Sequence, residues 1–485
     1  MRKTLLTHGL LLLFWLNPVF PARPQQPIRP EELGRLEQNL RQTLERLLKD
    51  KLFQNTQVGL TIASIGDNRI FYQRRAKVPL MTASALKILP AGVALAKWDP
   101  DHRLITPVYM DGFLKDRALY GNLYLIGQGD PSLQVSDLQK AAAAIKSLGI
   151  DRIDGDLIYD ISFFDEDTNR FAPNARNLYA PACALSVNYN ALDVEIDENH
   201  PTPKLRLIPE TSYARLKYDV HIKKSEKPGR PAMTYEEFPW GDQYAIKGII
   251  SDWDKKYHYL CLGVSRPGLF FATLFREALT AFHIEVKGRI KKGLLVAQAR
   301  ELVRMTSAPL KESIKIMNQE SSNLIAEMLN KNLGARFAST PGTRVKGLTV
   351  IKTFCAKQIG IPVEELFMED ACGLSSQNRL SAAHFIRILN YFYKTPEIKE
   401  HFLPSLKEQI YLLQKRPSAV RVLSKSGTLS ATGVNTEVGY LIDEQTGQAF
   451  SFAILVNRTR PGPMTYSGTL TDPILTAILG AFEGD

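Results

Sequence analysis

The chain has 485 residues, enough for two or three domains and a substantial core. Its 44% hydrophobic and 23% charged residues exclude a wholly disordered chain. The formal net charge of +11 admits nucleic acid, anionic lipid or an acidic wall polymer as partner, and equally a basic solvated surface, so charge selects no function by itself.

In chain order, Arg2 and Lys3 precede an apolar run from Gly9 to Leu16, followed by Asn17, Pro18 and Ala22. A positive start, a short apolar stretch and a small residue read as a secretory signal over residues 1–22. The run is too short to span a bilayer, and no later segment is apolar enough to do so. Leu33, Leu36, Leu40, Leu44 and Leu47 recur at helical spacing. Val58 to Ile62 and Ile70 to Tyr72 flank Gly66-Asp67-Asn68 as a strand–turn–strand unit, and Ser84 comes directly after it.

The middle of the chain reads as strands at Arg117 to Ile126 and Ile153 to Phe164, with a helix at Leu138 to Leu148. His221 to Trp240 is rich in Lys, Pro, Gly and Glu, as an exposed excursion would be. Helical patterns return at Leu310 to Leu333 and Leu380 to Tyr393. A hairpin is expected from Val438 to Val456, and a final apolar helix from Ile474 to Phe482. The predicted class is therefore mixed α+β. One discontinuous domain (30–97 and 301–485) surrounds a mostly β insertion (98–300), with a finer division of the insertion into 98–180 plus 271–300 and 181–270. Four scattered cysteines, Cys183, Cys261, Cys355 and Cys372, allow three pairings or four buried thiols. Without clustered Cys/His ligands or a His-Glu-x-x-His helix, a catalytic zinc site is not expected.

Ser84-Ala85-Leu86-Lys87 is the only Ser-x-x-Lys in the chain. Residues three apart share a helix face, so Lys87 can reach the Ser84 hydroxyl. A serine needs a base to become a nucleophile, and a lysine is a base only when desolvation or a neighbouring cation keeps it neutral. Pro90 falls six residues on; an interior proline costs about 3 kcal/mol, so a kink or a late helix start is expected. Lys425-Ser426-Gly427-Thr428 offers a positive charge, two hydroxyls and a glycine that lets a ligand backbone approach. One ion pair at about 4 Å is worth roughly 4 kcal/mol at an effective dielectric near 20, enough to select an anionic end. Taken alone, the tetrapeptide reads better as a surface turn. Ser-x-Asn occurs at Ser186-Val187-Asn188, Ser321-Ser322-Asn323 and Ser376-Gln377-Asn378. Ser321 and Asn323, at a polar break between apolar helical stretches, suit a cleft best; Ser186 reads as structural. The chain has no Gly-x-Ser-x-Gly elbow and no phosphate-binding Gly-x-x-x-x-Gly-Lys-[Ser/Thr] loop.

In this combination and order, the three motifs resemble those of the penicillin-recognising serine enzymes. The long gap between Ser84 and Ser321 is similar to that of the class C low-molecular-mass penicillin-binding proteins, the D-alanyl-D-alanine carboxypeptidase/endopeptidase family. Gly127-Gln128-Gly129-Asp130-Pro131, Leu185-Ser186-Val187-Asn188 and Gly373-Leu374-Ser375 with Asn378 extend the likeness from about Gln57 to Asn457. The resemblance implies a β-lactamase/transpeptidase-like domain, an antiparallel sheet flanked by helices, carrying the insertion as one or two extra domains. It implies Ser84 as nucleophile, Lys87 as base, and Ser321, Asn323 and Lys425 as proton relay and substrate holders. The backbone amides of Ser84 and Thr428 would form the oxyanion hole. Ser426, Gly427, Thr428 and Asp160 would contact substrate. Peptidoglycan stem peptides and covalently bound β-lactams are the implied partners, and the periplasm or cell envelope the implied location. Neither nucleic acid, cofactor nor metal is called for.

Cys372 stands where the family usually has serine, and Ser376 where arginine is common, which leaves the side-chain preference for the stem's third residue open. A catalytically silent wall-binding homologue, or a β-lactamase or esterase on the same fold, is the alternative reading.

Overall fold

The computed structural model describes residues 30–166, 180–198, 203–229, 231–256, 260–410, 420–460 and 469–483. The expected signal segment lies outside them. Among the described residues, no helix is long and apolar enough to cross a membrane.

The catalytic half is built on a six-stranded antiparallel sheet. Its strand order is Ile70–Arg74, Thr56–Ser64, Ala449–Arg458, Val434–Asp443, Val420–Leu429, Lys407–Glu408. The two ends of the chain thus meet in adjacent central strands, with Val58 opposite Val456 and Ile62 opposite Phe452. Side chains alternate between faces with period two. Val58, Leu60, Ile62, Phe452 and Ile454 point to one side, where the helices Pro30–Leu47 and Thr471–Glu483 cover them. Val438, Tyr440, Ala453 and Leu455 point to the other, against the helices Ile88–Lys97 and Ala382–Lys394. The leucine spacing at 36, 40 and 44 puts those three residues in the first of these cores.

The insertion leaves and returns through neighbouring strands, Ile105–Met110 and Arg300–Thr306, which pair antiparallel. The Ser307 amide donates to the Leu104 carbonyl at 2.9 Å, and the Leu104 amide to Ser307 Oγ at 2.8 Å. A catalytic segment beginning at 301 therefore starts too early, because Arg300–Thr306 is an edge strand of the inserted five-stranded sheet. Helices Val135–Ser147 and Pro267–Ala281 bury their apolar faces in the insertion's own core. The expected excursion at His221 to Trp240 instead holds the end of one strand and the whole of another. Ala214–Lys223 pairs parallel, and Ala232–Phe238 antiparallel, with Gly241–Ser251. Their alternating exposed positions made this polar sheet read as loop. All four cysteines are buried, and Cys183, Cys355 and Cys372 are free thiols.

The insertion is seated on the helix Asn323–Phe337. Leu324, Met328 and Ala335 of that helix share a small core with Phe164 and Ala184 of the insertion. Asn332 Nδ2 donates to the Gly129 carbonyl at 2.8 Å, and buried Lys331 pairs with Asp165 at 2.8 Å.

Candidate active site

The nucleophile segment starts as a 3₁₀ turn, Ala83–Lys87, and becomes α-helical only at Ile88. Side chains three apart eclipse in a 3₁₀ turn, which stacks Lys87 directly over Ser84. The late start also accommodates Pro90: it falls in the first α-helical turn, where a missing N–H costs little. Just before Ser84, Ala83 sits at φ 44°, a left-handed conformation that a residue with a Cβ adopts only when its surroundings impose it.

Two segments impose it. Gly373, at φ 88°, lies so close that a Cβ there would stand 1.9 Å from the Ala83 carbonyl oxygen. Gly427 lies against the other side, where an added Cβ would sit 2.5 Å from the Ser84 amide nitrogen and 2.8 Å from that of Ala85. Thr436, opposite Gly427 on the neighbouring strand, donates its hydroxyl to the Thr82 carbonyl at 2.7 Å and so ties sheet to turn. The Lys425-Ser426-Gly427-Thr428 tetrapeptide is therefore a length of strand, not a surface turn.

Lys87 is fully buried and makes three close contacts: 2.9 Å to Ser84 Oγ, 2.6 Å to Asn323 Oδ1 and 2.6 Å to the Cys372 carbonyl oxygen. Asn323 is in place because the helical run breaks at Glu320–Ser322. Ser321 takes φ 58°, and Ser322 caps the next helix by accepting from the Ile325 amide at 3.3 Å. Burial pushes the Lys87 amine down to about 8, against the upward pull of Asp370 and Glu327. Lys425 is pushed well below the usual lysine range by its own burial and then by the charge of Lys87, with Glu437 pulling the other way. Lys425 is therefore easier to deprotonate than the fixed cation that its sequence context suggested. Its Nζ donates to the Ser426 carbonyl at 2.7 Å. Behind the strand, burial pushes Glu437 up to about 6, while the Ser424 and Thr471 hydroxyls favour its charged form.

A cleft of about 970 Å³ opens over this cluster. Ser84, Ser321, Asn323, Ser426, Gly427 and Thr428 line it together, as do Tyr189, Leu374 and Ser376. Glu320 is the one carboxylate on its wall, and no arginine lines it among the described residues. Asp160 is placed elsewhere. It is 7% exposed in the inserted sheet, does not line the cleft, and accepts from the amides of Ser162 (2.9 Å) and Leu295 (3.0 Å). Its carboxylate ties two loops of the insertion. Ser186 is likewise internal, accepting from Asn190 Nδ2 at 2.9 Å. Its neighbour Tyr189 is the insertion's contribution to the cleft wall.

Sequence reasoning missed the loop that holds Lys87. Asp370 accepts from the amides of Gly373 (2.6 Å) and Ser375 (2.7 Å) and from Asn378 Nδ2 (2.7 Å). Glu327 accepts from the amides of Ala371 (2.8 Å) and Cys372 (2.9 Å), with Arg344 Nε at 3.2 Å. Glu327 lies four residues after Asn323, one helical turn along the same face, and that spacing was the available signal.

Comparison with known proteins decides the family. The D-Ala-D-Ala carboxypeptidase 3 (S13) family matches residues 40–466. The chain belongs to that family. Among its relatives is the D-alanyl-D-alanine carboxypeptidase DacB of Haemophilus influenzae, 23% identical over 432 residues, covering 86% of this chain and 88% of that protein. The D-alanyl-D-alanine carboxypeptidase of Actinomadura sp. is 26% identical over 449 residues, covering 87% and 82%. The crystal structure of penicillin binding protein 4 from Haemophilus influenzae superposes with a TM-score of 0.75 at 22% identity, covering 92% of this chain and 98% of that one. A second structure of that protein, complexed with a β-lactam, gives a TM-score of 0.71. As an S13 member the chain is a serine peptidase, and its architecture is the transpeptidase-like domain with inserted domains that the motifs implied.

Proposed function

We propose that this S13 enzyme is an exported D-alanyl-D-alanine carboxypeptidase, which removes the terminal D-Ala of peptidoglycan stem peptides through an acyl-enzyme at Ser84 and is acylated there by β-lactams. The observation that carries the reading is the Ser84 Oγ–Lys87 Nζ contact of 2.9 Å, inside a cleft that also holds Asn323 and the Lys425 strand. Neutral Lys87 takes the Ser84 proton as Oγ bonds to the carbonyl carbon of the penultimate D-Ala. The electron pair moves onto the carbonyl oxygen, where the amides of Ser84 and Thr428 stabilise it; preorganised donors of this kind usually contribute most of the acceleration in acyl transfer. Collapse breaks the C–N bond, and the departing amine gains a proton through Lys87, with Ser321, Asn323 and Lys425 as relay and holders. Water then attacks the ester, the stem leaves with a single D-Ala, and Ser84 recovers its proton. Ser426, Gly427 and Thr428 flank the substrate's end.

If a cross-linked peptide enters the same cleft, the same chemistry is an endopeptidase reaction. The Glu320 carboxylate on the cleft wall favours a third stem residue that presents an ammonium. The contacts holding Lys87 speak against a silent wall-binding homologue. The test is release of D-Ala from a pentapeptide ending in D-Ala-D-Ala, alongside labelling by a fluorescent penicillin. Wild type should do both and Ser84→Ala neither. Rapid penicillin turnover without D-Ala release would mark a β-lactamase instead.

A further inference from the structure

A neutral amine has two hydrogens and one free electron pair, while Lys87 Nζ has three oxygen neighbours. The Cys372 carbonyl oxygen and Asn323 Oδ1 have no hydrogen to give, so each takes one from the amine. Only the Ser84 hydroxyl can meet the free pair. Whether that pair points at Ser84 thus depends on where the Cys372 carbonyl is held. A trans peptide is planar and its N–H points opposite to its C=O. The N–H partner of the Cys372 carbonyl is the Gly373 amide, which donates to Asp370 Oδ1 at 2.6 Å. The peptide before it is fixed too, since the Cys372 amide donates to Glu327 Oε1 at 2.9 Å. Asp370 is fully buried and Glu327 is clamped by Arg344.

We propose that Asp370 and Glu327 are positioning residues for acylation, which hold the Cys372 peptide so that its carbonyl takes one Lys87 hydrogen and leaves the amine's free pair on Ser84. The inference rests on the reading of Lys87 as the base. It also gives the two carboxylates a second effect, because they favour the charged amine and set the pH at which the base becomes free. The charged and titratable groups around Lys87 are Glu327 on its helix, Asp370 and the Cys372 thiol on the loop, and Lys425 on the strand; Glu437 acts on Lys425 from the strand beside it.

The experiment measures the rate of penicillin acylation against pH for wild type, Glu327→Gln and Asp370→Asn, with thermal melting of each. The glutamine amide oxygen can still accept both loop amides, although its NH2 group loses the Arg344 contact, so Glu327→Gln should keep more of its plateau rate than Asp370→Asn while its acidic limb moves about half a pH unit or more to lower pH. Asp370→Asn places an amide N–H against the Ser375 N–H it should accept from, tilting the peptide, and should lower the plateau about tenfold or more. A role in stability alone would lower melting and leave the acidic limb in place. An unmoved limb in Glu327→Gln overturns the proposal, as does an undiminished plateau in folded Asp370→Asn; if Asp370→Asn does not fold, Glu327→Gln decides. Failure of the underlying reading is distinguishable, because then the wild type itself is not labelled at Ser84.

Discussion

Lys87 acts as a base only in the molecules that carry it neutral, and burial sets that fraction. With the amine pushed down to about 8, the neutral form dominates above that pH and the charged form below it. Acylation by penicillin should therefore rise with pH through about 8 and flatten beyond, as a stopped-flow or gel-based rate series would show. Lys87→Arg should lose acylation about 10²- to 10⁴-fold across the whole range, because a guanidinium does not deprotonate in proteins. Ser84 and Lys87 were legible in the sequence because one spacing carries both chemistry and geometry. Glu327 and Asp370 were not, since their work is to accept backbone amides, and no side-chain motif announces that. Asp160 is ambiguous in sequence for a related reason: an acidic residue beside a strand end looks the same whether it meets a ligand or caps its own loops.

The elements that meet at the site are held by close backbone approach. Gly427→Ala would place a methyl group 2.5 Å from the Ser84 nitrogen and 2.6 Å from Thr436 Oγ1, so strand and turn must separate. The expected result is a loss of penicillin labelling of about tenfold or more, with the melting temperature lowered by only a few degrees. Measuring both on one sample separates the site from the fold. Near-continuous apolar runs on either side of Glu444 to Gly447 made the hairpin Val434–Asp443/Ala449–Arg458 readable, and the leucine period made the first helix readable. The local pattern could not show that the Lys425 tetrapeptide is strand. What keeps it extended is pairing with Val434–Asp443 and packing on Ala83–Lys87, which lies far away in sequence.

For the whole molecule, the insertion is seated on the side of the helix Asn323–Phe337, which carries Asn323 at its start, and on the loop after it, where Gly342 bridges Phe164. Met328→Ala should cost about 2–5 kcal/mol in urea unfolding, and limited proteolysis should then cut the insertion faster than in wild type. With Cys183, Cys355 and Cys372 free and buried, the chain's four cysteines can form no disulfide within it, so dithiothreitol should leave the melting temperature unchanged. That both ends of the chain enter one sheet was legible because strand patterns appear at both ends. The return point was not, because Arg300–Thr306 pairs with the outgoing strand across the full length of the insertion. The most direct test of the account is to locate the penicillin adduct by mass spectrometry of tryptic peptides. One adduct per chain, on the peptide Val78–Lys87 and lost in Ser84→Ala, is the predicted result; a wild-type chain with no adduct, or with one on any other residue, would contradict it.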